Sequence, residues 1–401
     1  ICKRYAHEIG IKINLEKTKN RKKAFEGAEF IINTALGNGY RGFKDGWEIA
    51  EKIGYKIGQS LHILHDEPFW VNFYQYNLME SVLIDILNIC PDAWYMIVAN
   101  PVMKGVTYLK RKFRGANIVG LCHGPAEVKK IIKELGFHEN DVTHEIIGVN
   151  HFSWLTSFNN KGKDAFPALE KWLDENYGKS IKVNDELLDN SIKADLFKRF
   201  GVYPVGDTAS PGGGSWGYWY YDDKAQKKWG EYPRDFYYNE STGYFARTRK
   251  NVELMKKLAL DKSVKITDVF PPEKTNETMI PFIESIVCDI PNIQMVNILN
   301  DGRYIEGVPE DFEVEIPALI SGRGIQGIKT NGLPKQIISY ILKDYVAPTE
   351  MEIAAYEQGS RKLLLALIMM DPWNRTEEQA KNLLDEILAI PYHEEMRKHY
   401  K

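Results

Sequence analysis

The sequence predicts an α/β fold: a doubly wound parallel sheet over residues 1–147, followed by an α+β part, 148–401, with antiparallel strands and C-terminal helices. Three observations carry this. Strand-length apolar runs alternate with helix-length stretches up to Val149, the βαβα order that builds parallel sheets. The run 94–99 is apolar on both faces, as a central parallel strand is. Beyond residue 292, two runs at 293–299 and 312–316 flank an Asn300-Asp301-Gly302 turn, and the second alternates strictly, which suits an antiparallel meander.

Taken in order, Ile1, Tyr5 and Ile9 follow helical spacing without a cap or an initiator methionine, so the N-terminus reads as truncated. A short strand is expected at 11–15, a helix at about 21–26 and a buried strand at 28–35. A helix over roughly 74–90 leads into the strand 94–99. A helix from about Lys104, a strand at 116–121, a helix at 126–135 and a strand at 145–149 follow. Residues 160–250 are rich in Trp, Tyr, Gly and Lys, with helical pieces at 165–176 and 190–200 and a four-glycine loop at 210–217. The tail from Leu333 reads as helices separated by Pro348, Pro372 and Pro391. There is no internal repeat.

Composition narrows the function classes. Fifty-two Lys plus Arg against 55 Asp plus Glu gives a net charge of −3, with no basic block to track a phosphate backbone, so no nucleic-acid partner is expected. The longest strongly apolar stretch, 363–370, is far shorter than the roughly 20 residues of a spanning helix, so no membrane partner is expected either. Four scattered cysteines, Cys2, Cys90, Cys122 and Cys288, suit a reducing cytoplasm better than a disulfide framework.

In an open parallel sheet, ligands bind beyond the carboxyl ends of the strands. Four such ends read as Asn33-Thr34, Asn100-Pro101, Cys122-His123-Gly124 and Asn150-His151. A shared cleft accounts for polar residues at all four. Cys122 and His151, 29 positions apart, are candidate metal ligands. Against this, a lone cysteine at a strand end is commonly a small buried hydrophobe and a lone histidine a satisfied hydrogen bonder. By ligand softness alone such a site favours zinc or iron over manganese. Asp207, in GVYPVGDT, is a candidate general base or a simple turn residue, and Tyr203 beside it a site residue or a packing ring. No Lys-Ser or Lys-Thr pair follows 212–214, which excludes a P-loop, and the GxGxxG dinucleotide fingerprint is absent.

Seven segments together resemble glycoside hydrolase family 4, in particular its α-glucosidase, α-galactosidase and α-uronidase branch. They are EGAEFIINTA (26–35), VANPV (98–102), VGLCHG (119–124), GVNHFSWL (148–155), FGVYPVGDT (200–208), IPFIES (280–285) and EEMRKHY (394–400). The resemblance implies an LDH-like Rossmann domain binding NAD, and a divalent metal, usually Mn2+, on Cys122 and His151. It makes His123 the candidate proton donor and Asp207 the candidate base. It places Asn33, Thr34 and Asn100 along the cofactor, and Asn100 and Asn150 at the sugar. The implied chemistry is oxidation at C3 by NAD, deprotonation at C2 and elimination of the C1 oxygen, rather than two-carboxylate hydrolysis. The expected substrate is a non-phosphorylated α-glycoside, and the expected assembly a cytoplasmic homodimer or homotetramer.

Two departures bear on the substrate. Where relatives carry an Arg-Gly-x-Asp segment, this chain has Ile57, Gly58, Gln59 and Ser60, with His62, His65 and Asp66 nearby; and Ala209 and Ser210 replace an expected arginine. Two other readings stand beside the glycosidase. A malate- or lactate-type dehydrogenase shares the βαβ order but wants a His–Asp pair and an arginine for the acid, and no such set is evident. A non-catalytic, truncated sugar- or nucleotide-binding relic is the second.

Overall fold

The computed structural model describes residues 1–39, 41–57, 62–64, 67–176, 180–183, 186–189, 191–209, 223–229 and 233–401. The segment Gly58-Gln59-Ser60, His65, Asp66 and the loop 210–217 lie outside the described residues. The chain opens with helix α1 (Cys2–Glu8) and α2 (Arg21–Phe25), then strand β1 (Phe30–Asn33), α3 (Arg41–Ile53) and α4 (Phe69–Ile89). Next come β2 (Trp94–Ile97), α5 (Val102–Lys112), β3 (Ile118–Gly120) and α6 (Glu127–Glu134). The remaining strands are β4 (Val142–Val149), β5 (Phe152–Asn160), β6 (Lys163–Asp164), β7 (Ser180–Val183), β8 (Glu186–Asp189), β9 (Tyr203–Val205), β10 (Asn292–Leu299), β11 (Glu313–Ser321) and β12 (Gly324–Gly327).

Ten of these strands form one sheet in the order β1-β2-β3-β10-β11-β4-β5-β6, with β12 on β11 and β9 on β5. The parallel part is β1, β2 and β3, as the alternation of elements predicts. The hairpin β10–β11 is the expected meander, with Asn297 opposite Glu315. Its position is not what the sequence suggests. It inserts between β3 and β4, antiparallel to both.

Three reversals separate β3 from β4, so β4 runs against the parallel strands. The strand expected at 145–149 is therefore not a fourth member of the parallel set, and Asn150-His151 is not a fourth carboxyl end. These two residues are the turn of the β4–β5 hairpin, where Val149 pairs with Phe152 and His151 takes a left-handed φ of 64°. The strand expected at 11–15 does not form. Ile11 and Ile13 are each 56% exposed, because apolar alternation makes a strand only where a sheet edge accepts it.

Helix α4 starts five residues earlier than expected, with Pro68 as its N-cap. Its first turns, Phe69, Trp70, Val71 and Phe73, are buried, and it is apolar all round, as a core helix is. Each such side chain contributes about 1.5–3 kcal/mol. Its partners include the C-terminal helices: Leu364, Leu367, Leu383 and Ile387 share its hydrophobic cluster. Among the described residues, no helix is long and apolar enough to cross a membrane.

His393 closes that C-terminal layer. It is fully buried, its Nδ1 lies 2.8 Å from the Ile387 carbonyl, and its Nε2 finds no hydrogen-bond partner. The carbonyl makes Nδ1 the donor. Burial pushes the imidazole below its ordinary 6.5, more than the Ile387 carbonyl and Asp45 raise it. In the unfolded chain the ring takes a proton near pH 6.5 while the folded ring stays neutral. Its stabilisation is thus complete above that value and is lost as pH falls below it. Urea unfolding of the wild type and His393→Gln is expected to show a larger stability gap at pH 7.5 than at pH 5.5. An equal gap at both would remove His393 from the titration.

Candidate active site

The site grows from the loops that leave β3, the β4–β5 turn and the turn after β9. Cys122 lies two residues past β3 and is partly buried. Its thiol is hydrogen-bonded to His151. Burial, Glu315 and Asp207 push the thiol above its ordinary 9, outweighing the opposing pull of His151. His151 is nearly buried, with Nε2 3.8 Å from Asp207 Oδ2 and Nδ1 4.0 Å from Glu67 Oε1. Cys122, His151 and Asp207, distant in sequence, thus meet in space.

Asp207 is held there by backbone contacts. It sits in a short 3-10 turn, Gly206–Ala209. Thr208 Oγ1 accepts from the Ser153 amide and donates to the Ser153 carbonyl, both at 2.8 Å, which pins the turn to β5. Gly206 has φ 58°, and a Cβ there would come within 2.8 Å of Gly124 Cα, so only glycine lets this turn abut the Cys122 loop. The Gly206 amide donates to Glu127 Oε2 at 2.5 Å, and Glu127 Oε1 is paired with the buried Lys193 at 2.5 Å. Breaking such a buried pair costs about 3–5 kcal/mol. Tyr203 belongs to the same brace: its buried hydroxyl bonds Glu127, and burial and that carboxylate push its pKa well up. It is a fixed hydrogen-bond donor supporting the Asp207 turn.

Under this layer the sheet carries carboxylates. Gly120, Asn297, Glu315 and Gly148 lie in one register row across β3, β10, β11 and β4. A Cβ on Gly120 would meet Asn297 at 2.8 Å and Val102 of α5 at 2.5 Å, so Asn297 and its cross-strand partner Glu315 face α5. Glu315 is 1% exposed; it accepts from Ser153 Oγ and from Asn297 Nδ2, and the Asn150 amide group stands beside it. Glu313 is fully buried and accepts from the Asn150 backbone N–H at 3.3 Å. Burial raises both carboxyl groups, Glu313 strongly, with Glu315 as its second cause.

The remaining sequence candidates are spread more widely. His123 is 70% exposed, its Nδ1 3.7 Å from Glu277 Oε1. Asn33, at the end of β1, donates to the Tyr95 hydroxyl at 2.7 Å and accepts from the Ala35 amide, so its side chain shapes the loop. Thr34 beside it is exposed. Gln75 of α4 ties this loop to the end of β2: it donates to the Ala35 and Asn100 carbonyls and accepts from the Gly37 amide. The loop that carries Thr34 and the turn at Asn100 are therefore held together by one side chain.

A thiol, an imidazole and a carboxylate make a donor set suited to a divalent cation. Among the described residues no three His, Cys, Asp or Glu side chains are arranged to hold an ion by themselves. Cys122 and His151 could supply two ligands to an ion.

Family comparison agrees with these motifs. The family 4 glycosyl hydrolase model matches residues 1–137, and the family 4 glycosyl hydrolase C-terminal domain model matches residues 146–374. The chain belongs to glycosyl hydrolase family 4. It is 24% identical to an alpha-glucosidase of Erwinia rhapontici, over 93% of this chain and 83% of that protein. It is 26% identical to an alpha-galacturonidase of Thermoanaerobacterium saccharolyticum, over 92% and 80%. Among solved structures, a 6-phospho-alpha-glucosidase from gut microorganisms, in complex with NAD and Mn2+, superposes with a TM-score of 0.77 over 97% of this chain and 87% of that one, at 18% identity. The fold is thus that of the family 4 enzymes, and the protein is a glycosidase.

Sequence reasoning missed the buried polar residues around this glycosidase site: Glu67, Lys104, Glu313, Glu315 and Glu352. Glu313 and Glu315 fall on alternate positions of a predicted strand, the pattern of a solvated face. The signal that was available is GVPEDFEVEI itself, in which glutamates alternate with residues too apolar for a sheet edge.

Proposed function

We propose that this enzyme hydrolyses non-phosphorylated α-glycosides, neutral or uronic, by an oxidation–elimination route using NAD and a divalent cation. The convergence of Cys122, His151 and Asp207 carries this reading, because a thiol, an imidazole and a carboxylate suit cation-assisted proton abstraction rather than two-carboxylate hydrolysis. Residues 1–147 would hold NAD, with Thr34 and Asn100 along the cofactor and Asn33 shaping the loop that carries Thr34. Residues 148–401 would hold the sugar, with Cys122 reaching over from the first part. Mn2+ fits the pair Cys122–His151, a thiol and an imidazole brought together beside the Asp207 carboxylate. When bound, NAD supplies the oxidant for the C3 hydroxyl and the cation a Lewis acid for the sugar oxygens.

The chain's own residues do the rest. Asp207, 44% exposed and held beside His151, takes the C2 proton, which the C3 ketone has acidified. His123, beside Glu277, gives a proton to the departing C1 oxygen. Asn100 and Asn150 orient the sugar hydroxyls. Water adds at C1 as the proton returns to C2, and return of the hydride to the C3 ketone leaves the cofactor unchanged over a cycle.

The placement of two lysines supports an unphosphorylated substrate. Lys104 and Lys193, near the site, are both buried and salt-bridged to glutamates, which leaves neither for a phosphate. The relatives named alpha-glucosidase and alpha-galacturonidase support the same substrate class. A panel of p-nitrophenyl α-glycosides, oligouronides and 6-phospho-glycosides, assayed with NAD and Mn2+, tests it. Turnover of one or more unphosphorylated α-glycosides is expected, and selective turnover of the 6-phospho sugars would reverse the assignment. A cytoplasmic setting, where Cys122 stays reduced, goes with this reading. So does a homodimeric or homotetrameric assembly, which light scattering on the purified protein checks.

A further inference from the structure

Lys104 is an unusual residue for its place. It lies in the first turn of α5, 1% exposed, in a stretch otherwise buried and largely apolar. Its ammonium is 2.9 Å from Glu352 Oε2, 3.6 Å from Glu67 Oε2 and 3.4 Å from the Glu67 carbonyl. Asn72 spans the same two glutamates from α4, donating to the Glu67 carbonyl at 2.9 Å and to Glu352 Oε1 at 2.7 Å. Glu352 comes from the helix Ala347–Gln358. Four elements thus converge on one buried polar network. Desolvating three charges is expensive, and an apolar trio of similar volume would hold the helices together as well.

The Glu67 carboxylate shows what the network does besides joining helices. One oxygen, Oε2, faces Lys104; the other, Oε1, faces His151 Nδ1 at 4.0 Å. The opposite ring nitrogen, Nε2, faces Asp207. Both separations are charge contacts too long for hydrogen bonds, but Glu67 is 2% exposed and Asp207 44%, so the buried carboxylate acts through the lower dielectric and favours the proton on Nδ1, leaving Nε2 as the lone pair.

We propose that Glu67 is a positioning residue for His151: anchored through Lys104 to Glu352, it holds the imidazole with Nδ1–H inward and Nε2 presented to the cation site. This rests on the reading of Cys122 and His151 as that site. Lys104 has its own reason to be there, since without it Glu67 and Glu352 would be two buried carboxylates with no cation between them.

The test is Mn2+ affinity of the purified protein, measured by calorimetry without sugar or NAD, beside the melting midpoint in chelator. The wild type is expected to bind Mn2+, and Cys122→Ser to bind it far more weakly. Glu67→Ala is expected to lower affinity about 10- to 100-fold. Glu67→Gln, which keeps an acceptor oxygen and loses the charge, is expected to fall between the two while melting in chelator close to the wild type. Should the alanine variant fail to fold, the glutamine variant decides. A Glu67→Gln protein with wild-type affinity overturns the proposal, and with Cys122→Ser still impaired it does so without touching the site assignment. If Cys122→Ser binds Mn2+ as the wild type does, the site assignment itself falls, and this inference with it.

Discussion

Cys122→Ser is expected to lower kcat/KM on the best α-glycoside by about 10³-fold at saturating NAD and Mn2+. A Lewis acid at the reacting sugar is worth several kcal/mol, and each 1.4 kcal/mol is roughly tenfold in rate. Serine keeps the size of the side chain, but its hydroxyl neither ionises near neutral pH nor matches the softness of a thiolate. In the metal-free protein burial and the neighbouring Glu315 and Asp207 already hold the thiol protonated. A bound cation is therefore what makes it a thiolate, and the serine variant cannot reproduce that exchange of proton for metal. An oxidised sulfur is equally unable to ligate, so wild-type activity should rise with added dithiol and fall with peroxide, while the residual activity of Cys122→Ser should respond to neither. Metal-dependent turnover retained in the variant would take Cys122 out of the site.

The second large effect concerns the proton on C2. With substrate turned over in D2O, the released sugar is expected to carry deuterium at C2, because the base that removes the proton exchanges with solvent before returning it. A catalyst that passes through an oxocarbenium ion has no reason to touch C2. Asp207→Asn is expected to reduce kcat about 10²- to 10⁴-fold with a small change in KM, the pattern of a group that acts in the transition state. The substitution is nearly isosteric, and the turn that carries it is held by Thr208, Gly206 and the Glu127–Lys193 pair rather than by the carboxylate. Misfolding is therefore not the expected cause of the loss. Normal hydrolysis with protium retained at C2 would rule out the oxidation–elimination route.

Most of the linear order of this protein was determined by its sequence alone. The alternation of apolar runs with helical periods specified β1, β2 and β3 and, between them, α4 and α5 but not α3, because backbone periodicity and burial on both faces are local properties. It also located Asn33, Asn100 and Cys122 at or just past the ends of parallel strands, and the motifs around Cys122, His151 and Asp207 identified the family. What tertiary structure decided is how the sheet continues. The β10–β11 hairpin was legible as a hairpin, yet nothing local tells a hairpin whether it will lie at an edge or between two existing strands. Insertion between β3 and β4 reverses β4, makes His151 a turn residue and covers Glu313 and Glu315, which alternation alone assigns to solvent. The strand expected at 11–15 failed because its alternating pattern pairs with no described strand of the sheet, which leaves Ile11 and Ile13 exposed. Glu67, Lys104 and Glu352 meet across 37 and 248 positions. Charged residues are read from sequence as exposed because burying one alone is prohibitive, and only the fold brings the partners that make it tolerable.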